Sequence, residues 1–287
     1  MISLFIEVWP LFKTTCLTGI LLASVLSVSG LLLLARNQIF MGVSLAQSAT
    51  LGYALMLLLD LWGHRYGFYL HQYPLILKGG AIAACVLANL LLESRNRGAR
   101  ESAEAGLGWM FLFTSSFSIL LVSGSPLGMD EVQRILSSSL IGASEADLWI
   151  TLVLAVATVA LLAWKRDEVV LSVIDPGFSD AIGIASDRRR IAAAVWLAVV
   201  TALGITISGL IFTFACLLLP GMIAARLSRT IRPLFWLAPL IGAAATLAGF
   251  VLSVGWDLPP GQLTAALLST LLGLMWLTRR TRVAPRA

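Results

Sequence analysis

Apolar runs of about 17–24 residues follow one another along this chain, each long enough to cross a hydrocarbon core of about 30 Å as a helix. In lipid, every backbone N–H and C=O must find its partner inside the protein, so such runs fold as helices rather than as open strands. They lie at 14–35, 39–61, 75–92, 106–123, 146–164, 191–207, 208–225, 234–254 and 261–278. The expected fold is all-α: a polytopic membrane protein of about nine transmembrane helices, within a range of eight to ten. The stretch 191–225 is nearly continuous and too long for one ordinary span. Thr206, Ser208 and Gly209 are its only turn candidates. At 59% apolar and 12% charged residues, the chain carries about half the usual share of charge, which excludes a soluble globular protein. One membrane domain, 1–287, is expected rather than two soluble ones.

The basic residues orient the spans. With nine spans, 16 of the 20 Lys and Arg fall on one side, and only Lys13, Arg65, Lys78 and Arg134 fall on the other. The positive-inside rule then places the N-terminus outside and the C-terminus in the cytoplasm. Merging the two spans near 207 would scramble this bias. The net charge of +5 is thus a topology signal and no footprint of nucleic acid. Cys16, Cys85 and Cys216 each sit inside an apolar run without a C-x-x-C, so neither disulfides nor a zinc-finger-type site is expected. The first apolar run lacks a basic leader and a cleavage site and continues too far for a signal peptide. Eight of the nine tryptophans lie near span ends, as an interfacial belt requires.

The longest mixed-charge loop is 165–190, KRDEVVLSVIDPGFSDAIGIASDRRR. Charges at both ends bracket an amphipathic centre, where Asp175 suits an N-cap, Pro176 the first helical position and Gly183 a stop. It reads either as a solvated loop between spans or as a short surface helix that takes force from a soluble partner.

No enzyme constellation is present. All 15 Asp and Glu lie in loops or at span ends, and no phosphate-binding G-x-x-x-x-G-K-[ST] occurs, so ATP hydrolysis would have to come from another polypeptide. His64 and His71 share one external loop, which reads as polar and interfacial more readily than as a metal site. The external stretch 123–144 carries a weakly amphipathic 132–140, expected to pack over the outer mouth of the domain.

The second span is the most informative. Gly42, Ala46 and Ala49 form a small-residue stripe that admits another helix closely. Val43, Gln47 and Thr50 form the adjacent stripe. Gln47 is a strong polar group in mid-membrane, serving either as glue between helices or as lining of a wet path.

Four places then carry a resemblance to the membrane permeases of bacterial zinc- and manganese-uptake ABC transporters. They are the opening span ending at Arg36 with the small-residue span that follows, SLIGAS at 139–144 leading to Glu145 and Asp147, DPGFSDAIG at 175–183, and LLLP ending at Pro220 with DLPPG at 257–261. The resemblance runs over nearly the whole chain in the same order. It implies a multi-pass protein of the bacterial cytoplasmic membrane, without a cofactor, that moves a divalent metal ion or metal complex. It further implies a cytoplasmic ABC ATPase docking at Asp175, Pro176, Gly177, Phe178, Ala181 and Gly183. An extracytoplasmic solute-binding protein, a second permease copy (identical or similar) and membrane lipid are the other implied partners.

One departure matters. Where the family typically has the Asp and His of FGDxLSHA in the second span, this chain has Val43 and Gln47. A bare divalent ion loses a large hydration energy in the bilayer, which carboxylate or imidazole normally offsets. Val43, Ser44, Gln47, Ser48, Thr50 and Pro220 are the expected pathway residues, with the metal ligands unassigned. Ser44, Ser48, Cys216 or backbone carbonyls could supply ligands, the cargo could arrive already chelated, or ions could pass weakly held through a wet channel. Other readings are an ABC permease for a non-metal solute, a secondary transporter without an ATPase, and a membrane scaffold. A secondary transporter is expected to carry charged coupling residues inside its spans.

Overall fold

The computed structural model describes residues 2–35, 38, 40–63, 74–95, 103–123, 140–174, 186–228 and 230–280. Among them are nine α-helices, and each is long and apolar enough to cross a membrane. They are α1 (Ile2–Ala35), α2 (Phe40–Gly63), α3 (Pro74–Arg95), α4 (Ala103–Ser123), α5 (Glu145–Ile174), α6 (Ser186–Ser208), α7 (Leu210–Leu227), α8 (Ile231–Trp256) and α9 (Pro260–Arg280). A 3-10 turn, Leu140–Gly142, precedes α5.

The helices match the nine expected runs, with two differences that have local causes, and the expected division near 207 falls on a turn candidate. Helix α1 begins at Ile2 rather than near 14, because nothing in its first turns breaks a helix until Pro10. A proline there removes a single backbone bond. Helix α5 runs past 164 to Ile174, so the first part of the expected loop 165–190 is helical. Charged side chains leave a helix's backbone bonds intact. The division of 191–225 falls at Gly209, whose φ of 83° lies in the left-handed region open to glycine. Gly209 N–H donates to the Ile205 carbonyl at 2.9 Å, closing the last turn of α6.

The chain forms two compact units. The first comprises Met1–Leu31, Ser139–Ala155 and Ile211–Ala287; the second comprises Leu32–Ser138 and Val156–Leu210.

In the second unit, α2 is the central helix, with α3, α4 and α6 packed on it. Its approach to α3 is backbone on backbone. A Cβ added at Gly52 would overlap the Gly80 carbonyl oxygen and Ala84, and one at Gly80 would overlap Met56. The small-residue stripe of Gly42, Ala46 and Ala49 is buried, as its composition implies. Cross-links between spans are single polar bonds and ring contacts. Asn89 of α3 donates to the Ala194 carbonyl of α6 at 2.6 Å. Phe40 and Phe111 meet edge to face with centroids 5.6 Å apart.

In the first unit, the SLIGAS segment starts α5. Ser144 Oγ and Ser144 N–H both donate to the Asp147 carboxylate, at 2.9 and 3.1 Å, while Asp147 N–H donates back to Ser144 Oγ at 3.3 Å. This reciprocal cap satisfies helix-start donors that would otherwise be orphaned. Helices α8 and α9 pair through the DLPPG turn, where Asp257 adopts φ 53° and ends α8. At the far end, Arg226 of α7 lies over the Trp276 ring of α9, 5.4 Å from its centroid. Large apolar side chains stay exposed along α3, α4, α5, α8 and α9, and Trp62, Trp149, Trp236 and Trp256 are exposed near helix ends. That inverted surface suits lipid as solvent.

Candidate functional site

Helix α2 has two kinds of surface. Leu45, Ala46, Ala49 and Ala54 are buried, whereas Phe40, Val43, Gln47, Leu51 and Leu55 form a strip that stays partly exposed. Gln47 is the one polar side chain on that strip. Among the described residues its amide has no hydrogen-bond partner. An amide so placed needs water or another protein surface.

The other candidates on α2 point elsewhere. Ser44 is fully buried and donates to the Leu107 carbonyl of α4 at 2.7 Å. Ser48 donates to the Ser44 carbonyl at 2.9 Å, and Thr50 to the Ala46 carbonyl at 3.1 Å. These three hydroxyls bind helix backbone, one between helices and two within α2. The structure therefore brings Val43 and Gln47 together on one open face and turns Ser44, Ser48 and Thr50 inward. Pro220 belongs to the first unit, buried within α7. The remaining candidates, Asp175, Pro176, Gly177, Phe178, Ala181 and Gly183, lie outside the described residues, as do His64, His71 and 132–139.

Among the described residues, no three His, Cys, Asp or Glu converge as metal ligands. Cys16, Cys85 and Cys216 are buried free thiols, and Cys85 Sγ contacts the Leu45 carbonyl at 3.4 Å. A cavity of about 270 Å³ opens between α2, α3 and α4, lined by Ser48, Leu51, Ala84, Leu87, Trp109 and Phe113, among others. Its two hydroxyls, on Ser48 and Thr114, both donate to carbonyls of their own helices. The cavity thus offers an ion nothing and suits hydrocarbon. Trp109 and Phe113 stack on its α4 wall with centroids 5.3 Å apart, and Phe117 beyond them is tilted against Phe113 at 4.4 Å.

Two polar positions escaped the sequence reading. Asn89 is fully buried, with Oδ1 unpaired beside its bond to Ala194. It is the only asparagine inside an apolar run, and that rarity was the available signal. Ser27 of α1 donates to the Cys216 carbonyl of α7 at 3.2 Å. No local pattern announces a contact so far apart in sequence.

The sequence profile of the ABC 3 transport family matches residues 9–279, almost the whole chain. The chain belongs to that family. This permease is a multi-pass protein of the bacterial cytoplasmic membrane, as its four ordered motifs and apolar helices imply. It is 22% identical over 223 residues to the manganese transport system membrane protein MntC of Listeria monocytogenes, covering 78% of this chain and 74% of that one. To the MntC of Halalkalibacterium halodurans it is 23% identical over 152 residues, and that match spans about half of each chain, 53% and 52%. Among solved structures, PsaBC of Streptococcus pneumoniae in complex with Fab aligns with TM-score 0.77 at 18% identity, covering 94% of this chain and 93% of that chain. A metal-chelate type ABC transporter in an inward-facing conformation aligns with TM-score 0.73 at 16% identity, covering 94% and 88%. At these identities the structural likeness establishes the shared fold.

Proposed function

We propose that this permease forms the path by which an ABC importer carries a divalent metal, manganese or zinc, into the cell, driven by a separate ATPase. The family match over 9–279 carries the reading, and the names of the MntC relatives supply the cargo class. The permease acts as one domain beside a second copy, takes cargo from an extracytoplasmic binding protein and is itself no enzyme. Its N-terminus lies outside and its C-terminus inside, following the arginine bias.

Helix α5 is the lever. Its 30 residues span about 45 Å, about 15 Å more than the hydrocarbon core. The capping box at Ser144 and Asp147 fixes one end, and the other delivers the chain to 175–183 on the cytoplasmic side, where the ATPase docks. Closure of the ATPase pair pushes that segment, and the stiff helix passes the displacement to the spans.

Along the path, Val43 and Gln47 replace a charged pair with neutral groups. The ion crosses α2 weakly held, with water completing its shell beside the Gln47 amide. The same neutrality favours a second reading, in which the cargo is already chelated. Reconstituting permease, ATPase and binding protein in proteoliposomes decides between them. ATP-dependent accumulation of free manganese or zinc supports the first reading; accumulation of a metal complex alone supports the second. Uptake of neither, or uptake without ATP, contradicts the proposal. In the same assay Gln47→Leu should cut uptake about tenfold while leaving the assembled complex intact, the effect of removing one polar contact of about 1.4 kcal/mol.

A further inference from the structure

Pro220 sits inside α7 without an N–H, so the carbonyl four residues earlier, that of Cys216, loses its helical donor. Left alone in an apolar interior, such a carbonyl is costly. Ser27 of α1 fills the gap, its Oγ lying 3.2 Å from the Cys216 oxygen. The same Oγ is 2.6 Å from the Ala23 carbonyl, one turn back in α1. A serine hydroxyl has one hydrogen, so it cannot serve both acceptors fully at once.

The backbone closes around this point. A Cβ at Gly30 would overlap the Leu217 carbonyl oxygen, and one at Gly242 of α8 would overlap Ser27 Oγ. Ser27 and Cys216 are both fully buried, which leaves the exchange to the protein's own groups. All of these residues belong to the first unit.

We propose that Ser27 is a positioning residue that makes the break at Pro220 a two-position joint. With its hydrogen on the Cys216 carbonyl, α7 is tied to α1 at the break. With its hydrogen on the Ala23 carbonyl, the upper and lower parts of α7 bend relative to each other. The exchange needs one hydroxyl rotation, moves no charge and breaks no covalent bond. A small push from elsewhere is enough to bias two states this close in energy. The joint's use in transport rests on the importer reading; its existence does not.

Cys216 reports on the joint directly. N-ethylmaleimide labelling of the full chain in native membranes, followed by peptide mass spectrometry, gives its rate relative to Cys85 in the other unit. Ser27→Ala should raise that ratio about fivefold, the equivalent of one net hydrogen bond. In a Pro220→Ala background residue 220 regains an N–H for the Cys216 carbonyl, so adding Ser27→Ala should change the ratio by less than about twofold. An unchanged ratio in Ser27→Ala, or the same fivefold rise in both backgrounds, overturns the proposal. Should Ser27→Ala fail to fold, Ser27→Ala with Pro220→Ala should restore a monodisperse permease, and failure to do so also overturns it. The readout needs neither cargo nor ATP, so its failure would leave the importer reading standing, and failed uptake would leave the joint standing.

Discussion

Gly52→Val is expected to abolish folded permease, whereas Gly79→Val on the same α2–α3 pair of helices leaves it in the membrane. At Gly52 a Cβ would run into the carbonyl oxygen of Gly80 and the backbone of Ala81, atoms with no rotamer to yield. Valine adds two more methyl groups to that overlap. Overpacking a flexible core costs about 1–3 kcal/mol; here α3 must leave α2, so the expected loss exceeds about 3 kcal/mol. Helix α2 also carries α4 and α6, so the loss spreads through the second unit. At Gly79 no atom lies within 4 Å of an added Cβ. Fluorescence-detected size-exclusion of the two variants checks this. Comparable monodisperse peaks for both would show that α2 and α3 do not need their close approach.

Phe178→Asp has the second-largest expected effect, on coupling rather than folding. Phe178 follows the Asp-Pro-Gly at 175–177 and is the largest apolar side chain of the proposed docking segment. A carboxylate placed in a desolvated interface without a partner costs roughly 3 kcal/mol, about a hundredfold in docking affinity. The reconstituted complex should then hydrolyse ATP without importing cargo, while Phe178→Leu keeps both activities. Normal coupled uptake by Phe178→Asp would remove the docking role from this segment.

The spans were legible because an apolar run of membrane length has one outcome in lipid, and Gly209 was legible as the only glycine among the turn candidates of 191–225. Helix ends were less so. The charged residues after Trp164 resemble a loop in composition, yet they are good helix formers and continue α5 to Ile174. The directions of side chains on α2 were the hardest to read. A span surrounded by other spans is apolar on every face, so its sequence does not say which side is covered. Ser44, Gln47 and Ser48 look alike as polar interruptions, but Ser44 and Ser48 bind backbone and Gln47 stays open. Ser27 was silent for a different reason. Its partner carbonyl is freed by Pro220, and nothing near Ser27 in sequence reveals that a distant acceptor needs a donor.

Whether cargo passes α2 without a resident ligand set is settled most directly by titrating the purified permease calorimetrically with manganese and zinc. The wild type is compared with Gln47→Leu and with Val43→Asp combined with Gln47→His. The wild type and Gln47→Leu should show no tight stoichiometric site, while the double variant gains one, because carboxylate and imidazole supply the ligands that valine and glutamine lack. Tight one-to-one binding in the wild type, lost in Gln47→Leu, would contradict this and place a true metal centre on the second span.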